Sequence, residues 1–214
     1  MENNLDFIIE NYIAEHTDNV PALLQELLKE TEAITRRSRW SIGQVEGKLM
    51  QFLVKVSGTR NAVEIGTFTG FSALMIAEAL PDDGLLVTCE SREEYAEIAR
   101  RYIKRSPHGK KIRLKLKPAM RTLKEIADNS VDFVFIDADK PSYSRYFDEA
   151  LRILRAGGFI FVDNVFWRNK IFKRKITNEN AIAIAAFNEK VKTEDRVEKV
   201  MLSVRDGIYL IRKI

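Results

Sequence analysis

The chain has 214 residues, 45% hydrophobic and 31% charged, a globular composition long enough to bury a sizeable core, which excludes disordered and fibrous classes. Its 35 Lys and Arg against 31 Asp and Glu leave a net charge of +4, too small and dispersed for a dedicated nucleic-acid binder but permissive for an anionic substrate. One cysteine, Cys89, and two histidines, His16 and His108, exclude an internal disulfide, a structural zinc site and an iron–sulfur cluster, and both histidines sit in polar stretches unlike the surroundings of a catalytic Ser-His or Cys-His pair.

The opening stretch MENNLDFIIENY is acidic and has no basic region before an apolar run, so no signal peptide is expected and the protein is read as cytoplasmic. The most apolar runs, GGFIFVDNVFW and AIAIAAF, fall short of the roughly 20 residues a membrane span needs. Leu5, Ile8, Ile9, Tyr12 and Ile13 predict a first amphipathic helix. Leu23, Leu24, Leu27, Leu28 and Ile34, after Pro21, predict a second, and Val45, Leu49, Phe52, Leu53 and Val56 a third. Short apolar runs then alternate with helical stretches: NAVEIG (61–66), LLVTCE (85–90), KIRLKLK (111–117), VDFVFID (131–137) and FIFVDN (159–164). Ser91 and Glu94 predict a capping box on the helix after Glu90. Continuously apolar central runs fit strands covered on both faces, as in a parallel sheet. The end, VEKVMLSV, Arg205-Asp206-Gly207 and IYLIRK, reads as a hairpin with Asp-Gly in its turn. With no linker or repeat, the expectation is one α/β domain over 1–214: N-terminal helices (1–57), then a doubly wound, mostly parallel sheet (58–214) ending in an antiparallel hairpin.

Ligands of such sheets bind beyond the carboxyl ends of the strands, so the residues just past each apolar run are the candidates for a site. After the first run comes Glu64-Ile65-Gly66-Thr67-Phe68-Thr69-Gly70-Phe71-Ser72, a glycine-bearing strand-to-helix turn that lets a ligand approach the backbone. It lacks the second glycine of G-x-G-x-x-G, so a nucleoside without phosphates fits better than a pyrophosphate. Glu90 ends the next run, where nucleoside binders place a carboxylate that accepts hydrogen bonds from ribose hydroxyls. The fourth run ends in Asp137-Ala138-Asp139-Lys140 and the fifth in Asp163-Asn164. Asp137, Asp163 and Asn164 thus bring hard oxygen donors to one sheet edge, a set suited to Mg²⁺. Helix capping explains any one of them; three beside a lysine point to a site.

In these segments the chain resembles the metal-dependent, S-adenosylmethionine-dependent O-methyltransferases of the catechol and caffeoyl-CoA type, including their bacterial relatives. The segments that carry the resemblance are VEIGTFTGFSA, Glu90, VDFVFIDADKPSYSRYFDEAL and GGFIFVDNVFW; its specific part is DADK-x-x-Y-x-x-Y followed by GG and DN-V-x-W. The resemblance implies a Rossmann-like methyltransferase fold and cofactor contacts from Trp40, Ile42, Glu64, Gly66, Phe68, Ser72, Glu90, Ala119 and Asp137. It further implies a divalent cation (Mg²⁺, or Ca²⁺ or Mn²⁺) on Asp137, Asp163 and Asn164, Lys140 as catalytic base, and acceptor contacts from Asp139, Tyr143 and Trp167. Three departures stand out: Trp40 where Met is common, Lys117-Pro118-Ala119-Met120 where a Gly-Asp-Ala-like turn is usual beside the adenine, and Arg168-Asn169 where glycines often follow the tryptophan. A homodimer is expected.

The chemistry agrees with that implication. A phenol of pKa about 10 costs about 4 kcal/mol to ionise at neutral pH. Chelation of two vicinal oxygens by a hard cation supplies this and aims one oxygen at the methyl. A nearby divalent charge lowers the pKa of Lys140, making it a proton acceptor rather than a salt-bridge partner of Asp139 on a solvated loop. Trp40, Tyr143, Phe166 and Trp167 are candidates to sandwich a planar acceptor. The expected function is cation-dependent methylation of a catechol-like small molecule. A bacterial branch resembling this family methylates a hydroxylated uridine in tRNA, which makes tRNA the rival acceptor. The basic runs Arg168, Lys170, Lys173, Arg174, Lys175 and Lys110, Lys111, Arg113, Lys115, Lys117 would then contact phosphates rather than form solvated surface. A nucleoside-binding regulator without catalysis would leave the cation ligands idle.

Overall fold

The computed structural model describes residues 2–35 and 40–214, and in the first helix the side chains from Ile8 onward, so Leu5 of the first predicted stripe lies outside the side chains described. Seven strands form one sheet: β1 (Asn61–Ile65), β2 (Leu85–Glu90), β3 (Ile112–Leu116), β4 (Val131–Ile136), β5 (Leu154–Asp163), β6 (Val197–Leu202) and β7 (Ile208–Lys213). Their order is β3-β2-β1-β4-β5-β7-β6. The first five are parallel, and β7 runs antiparallel between β5 and β6. This is the doubly wound sheet with a terminal hairpin that the alternating pattern predicts. The strand order reverses between β1 and β4, which opens a crevice at their carboxyl ends.

The helices are α1 (Glu2–Glu15), α2 (Ala22–Thr35), α3 (Gln44–Val56), α4 (Phe71–Ala79), α5 (Glu93–Arg105), α6 (Ala119–Leu123), α7 (Tyr143–Ile153) and α8 (Glu179–Lys192). Alternation along β4 explains how the sheet holds two cores. Phe133 and Phe135 face one layer with Leu27, Met50, Met75 and Tyr102 of α2 to α5. Val134 and Ile136 face the other with Phe147, Ile153, Ile184 and Phe187 of α7 and α8. A strand buried on both faces has no polar side to show, hence its unbroken apolar run.

Four local expectations are corrected. β5 begins at Leu154, ahead of Phe159: Leu154 pairs with Val131 before a register shift, and Gly157 (φ 77°) and Gly158 carry the strand across it. The capping box at Ser91 and Glu94 does not form; α5 starts at Glu93 with Arg92 as its cap, because Glu90 Oε1 already accepts from the amides of Ser91 and Arg92. In α3 the buried residues are Glu46, Gly47, Met50, Gln51 and Val54, while Phe52 and Val56 point to solvent. Gly47 is the reason: a Cβ there would sit 2.8 Å from Met75 Cε, so the helix closes on α4 through its bare face. In α1 the stripe Ile8, Ile9, Tyr12 and Ile13 is exposed. No helix among the described residues is long and apolar enough to cross a membrane.

Candidate active site

At the carboxyl edge of the sheet lies a cavity of about 1210 Å³. One end is built by the turn after β1. Gly66 (φ 105°) is required there, because a Cβ would fall 2.0 Å from the Asp137 carbonyl oxygen, and the Asp137 amide donates to Ile65 O at 3.0 Å. The same turn aims the Phe68 amide at Glu90 Oε2, 2.8 Å away. Three backbone N–H groups therefore hold the Glu90 carboxylate at the end of β2, with lone pairs left for a ligand. The Phe68 ring packs edge-on against Tyr95 at 4.7 Å and lies 5.8 Å from Trp40. Trp40, Ile42, Gly66, Phe68, Ser72, Glu90, Ala119 and Asp137 of the predicted cofactor contacts all line this cavity.

Glu64 does not line it. Its carboxyl is fully buried beneath the turn, where Thr88 donates to Oε2 and Oε1 has no partner, and burial pushes its pKa up to about 7 against hydrogen bonds from Ser72 and Thr88. Ser72, Glu90 and Asp137, which interact with it, do reach the cavity.

The other end is built where β4 and β5 stop. Lys140 opens a 3₁₀ turn and is almost fully buried. Its Nζ donates to Asp137 Oδ1 at 2.9 Å, not to Asp139, and to the Tyr143 hydroxyl at 2.5 Å. Tyr143 in turn donates to the Asp163 carbonyl at 3.1 Å. The expectation that Tyr143 meets the acceptor is thereby corrected: it is buried beneath Lys140, edge-on to Phe187, and outside the cavity lining. Phe166 is likewise turned away, against Phe172 and Gly207. Asp139, Asp163, Asn164 and Trp167 do line the cavity. Tyr146 donates to Asp139 Oδ1 at 2.5 Å, and the Trp167 indole N–H donates to Asn178 Oδ1 at 2.8 Å, which fixes both side chains.

Composition and spacing missed Glu46. It arrives from α3, is fully buried, and pairs with Arg205 from the β6–β7 turn. The pKa of Asp163 rises well above the ordinary carboxylate value through burial, then through the charges of Glu46 and Asp137. Only a signal linking positions 159 residues apart would have found this pair. Among the described residues no three His, Cys, Asp or Glu side chains converge as a metal cage. The predicted set differs in kind, being two carboxylates and an amide.

Each of the two basic runs divides. Lys111 is buried and donates to Ala77 O and Leu80 O, whereas Lys117, paired with Glu125, and Arg168 both lie on the cavity lining, and Lys173, Arg174 and Lys175 are exposed beyond it. Arg168 and Asn169 have φ of 55° and 57°, a left-handed conformation that explains why glycine suits these positions.

Comparison with known proteins agrees with this geometry. Residues 14–214 match the family described as O-methyltransferase. The probable caffeoyl-CoA O-methyltransferase 1 of Dictyostelium discoideum is 35% identical over 209 residues, covering 95% of this chain and 91% of that protein. Caffeoyl-CoA O-methyltransferase 2 of Zea mays is 33% identical, covering 88% and 77%. The crystal structure of an O-methyltransferase from Bacillus cereus in complex with SAH superposes with a TM-score of 0.86 at 29% identity, over 96% of this chain and 97% of that one. The chain belongs to the O-methyltransferase family and is an S-adenosylmethionine-dependent O-methyltransferase.

Proposed function

We propose that the protein transfers the methyl group of S-adenosylmethionine to a hydroxyl of a catechol-like small molecule, with Mg²⁺ or a similarly hard Mn²⁺ or Ca²⁺ held by Asp137, Asp163 and Asn164. The observation that carries this reading is a surplus of buried carboxylate where β4 and β5 end. Glu46, Asp137 and Asp163 gather around two cations, Lys140 and Arg205, so three carboxyl groups share two positive charges. Glu46 Oε1 is buried without a hydrogen-bond partner, and Asp163 resists ionisation. A hard cation on Asp163 relieves that imbalance, and Asn164 adds a neutral oxygen beside it. Such an ion supplies a Lewis acid and a template for two vicinal oxygens.

The chain's own residues do the remaining work. Glu90, held by three amides, accepts the ribose hydroxyls; Trp40, Ile42, Phe68 and Ala119 enclose the cofactor; Ser72, backed by Glu64, and Asp137 meet its methionine end. Lys140 Nζ spends two of its three directions on Asp137 and Tyr143 and keeps the third for the acceptor oxygen. As the carbon–sulfur bond breaks and the carbon–oxygen bond forms, the phenolic proton passes to the lone pair of a neutral Nζ, whose own extra proton the neighbouring divalent charge would have displaced beforehand, and neutral S-adenosylhomocysteine leaves. Trp167 and Asp139 orient the acceptor ring, and Tyr143 supports Lys140 from below. We read the chain as a single domain that works as a homodimer, a reading supported by the exposed apolar stripe of α1.

The test is turnover of labelled cofactor on catechols, a caffeoyl thioester and hydroxylated tRNA side by side. Transfer to a catechol without RNA is expected, abolished by a chelator, restored by Mg²⁺, and reduced in kcat but not in cofactor affinity by Lys140→Met. Full turnover in chelator would remove the cation. Transfer to tRNA alone, falling steeply with salt and with neutralisation of Lys173, Arg174 and Lys175, would replace the catechol by RNA.

A further inference from the structure

The two walls of the cavity meet at the turn between β6 and β7. One wall is the loop after β5, which carries Asn164 and Trp167. Asn164, Trp167, Arg168 and Asn169 have φ of 61°, 47°, 55° and 57°. Asparagine tolerates the left-handed region, but tryptophan and arginine each lose about 1–2 kcal/mol there. The loop keeps this shape because the turn holds it. The Val165 amide donates to Gly207 O at 3.1 Å, the Phe166 amide to Asp206 O at 2.9 Å, and the Arg168 amide to Asp206 Oδ1. Gly207 (φ 82°) admits the Phe166 ring, which a Cβ would meet at 2.6 Å.

The other wall is the segment Trp40–Gly43 leading into α3. Glu46 Oε2 accepts from the Gly43 amide at 3.1 Å and from Arg205 Nη1, which also reaches the Ser41 carbonyl at 3.5 Å. Arg205 and Asp206 are consecutive, so one turn grips both walls, and both residues line the cavity.

We propose that Arg205-Asp206-Gly207 is a positioning clamp: Arg205, through Glu46, fixes the wall that covers the cofactor, Asp206 fixes the wall that receives the acceptor, and cofactor binding is thereby coupled to the shape of the acceptor loop. The acceptor role of the second wall rests on the methyl transfer proposed above. These are positioning residues, since neither is asked to touch a reacting atom. Because such coupling is reciprocal, bound cofactor favours the loop shape that receives the acceptor, and bound acceptor favours cofactor by the same factor.

The two tryptophans of the chain stand one in each wall, so fluorescence reads the clamp directly. In a Trp40→Phe protein, acrylamide quenching reports Trp167 alone. Asp206→Ala is expected to raise its quenching constant about twofold by freeing the loop, and Asp206→Asn, whose Oδ1 still accepts from the Arg168 amide, to restore it. S-adenosylhomocysteine is expected to protect Trp167 in the parent and no longer to do so in Arg205→Met. With Trp40 present, Asp206→Ala is expected to raise the acceptor KM about tenfold, the loss of one hydrogen bond to a charged group, with Asp206→Asn again restoring it. Equal quenching in Asp206→Ala and Asp206→Asn, or protection that survives Arg205→Met, would overturn the clamp. Should Asp206→Ala not fold, the Arg205→Met measurement decides alone. Quenching needs no acceptor, so a failed catechol assay with intact coupling overturns the proposed substrate and leaves the clamp standing.

Discussion

Glu64 shows how far one side chain can depart from what its position in a motif suggests. By resemblance it contacts the cofactor, yet it lies fully buried with one oxygen unpartnered and its pKa pushed up to about 7 from an ordinary 4.5, burial being the largest cause. The folded protein thus holds the Glu64 proton more tightly than the unfolded chain. The resulting stability is complete below about pH 4.5 and is lost as pH rises through about 7, a swing of about 3 kcal/mol. Glu64→Gln cannot ionise. In the cofactor-free protein, urea unfolding between pH 4 and pH 8 should show stability falling more steeply in the parent than in Glu64→Gln; parallel pH profiles would refute the assignment. The motif VEIGTFTG announces the turn, but it does not say which side chain the turn covers.

At the level of elements, the strands were legible because a doubly covered strand writes its burial as an unbroken apolar run, and the hairpin because Asp-Gly marks its turn. The inner face of α3 was not legible. Periodicity counts apolar side chains, whereas this helix buries a glycine against Met75 and a carboxylate against Arg205. Likewise Arg155-Ala156-Gly157-Gly158 carries no β signature, so the early start of β5 was hidden. Lys111 misleads in the same way. Within a run that reads as solvated surface, it is buried and donates to Ala77 O at 3.1 Å and Leu80 O at 2.6 Å, closing the end of α4 where helical carbonyls lack partners and the helix dipole favours a cation. Lys111→Met should therefore cost about 2–3 kcal/mol in urea unfolding, the range for a buried charged hydrogen-bond donor, and leave cofactor affinity unchanged. Lys110→Met, at an exposed position, should cost almost nothing. Equal small effects of the two would return Lys111 to the surface.

On the scale of the whole molecule, the apolar side chains left outside are concentrated at the N-terminal helices. Ile8, Ile9, Tyr12 and Ile13 of α1, Ile34 of α2, and Phe52 and Val56 of α3 are all exposed, the α3 pair at 66% and 67%. Scattered exposed hydrophobics are ordinary, but four along one stripe of a single helix are not. A helix of 14 residues is marginal in water by itself, and within this chain α1 is tied down chiefly at its end, where Gln44 Nε2 donates to the carbonyls of Ala14, Thr17 and Asp18. In the proposed homodimer, a second copy of the chain would bury the stripe. Glu10 of the same helix lines the cavity, so such a pairing would bear on the site as well as on stability. Replacing Ile9, Tyr12 and Ile13 together by Ser is expected to shift the protein from dimer to monomer in sedimentation velocity and to lower the affinity for S-adenosylhomocysteine. A parent protein that sediments as a monomer at about 10 μM, a concentration at which an interface of standard size would be occupied, would refute the homodimer and leave α1 in need of another partner.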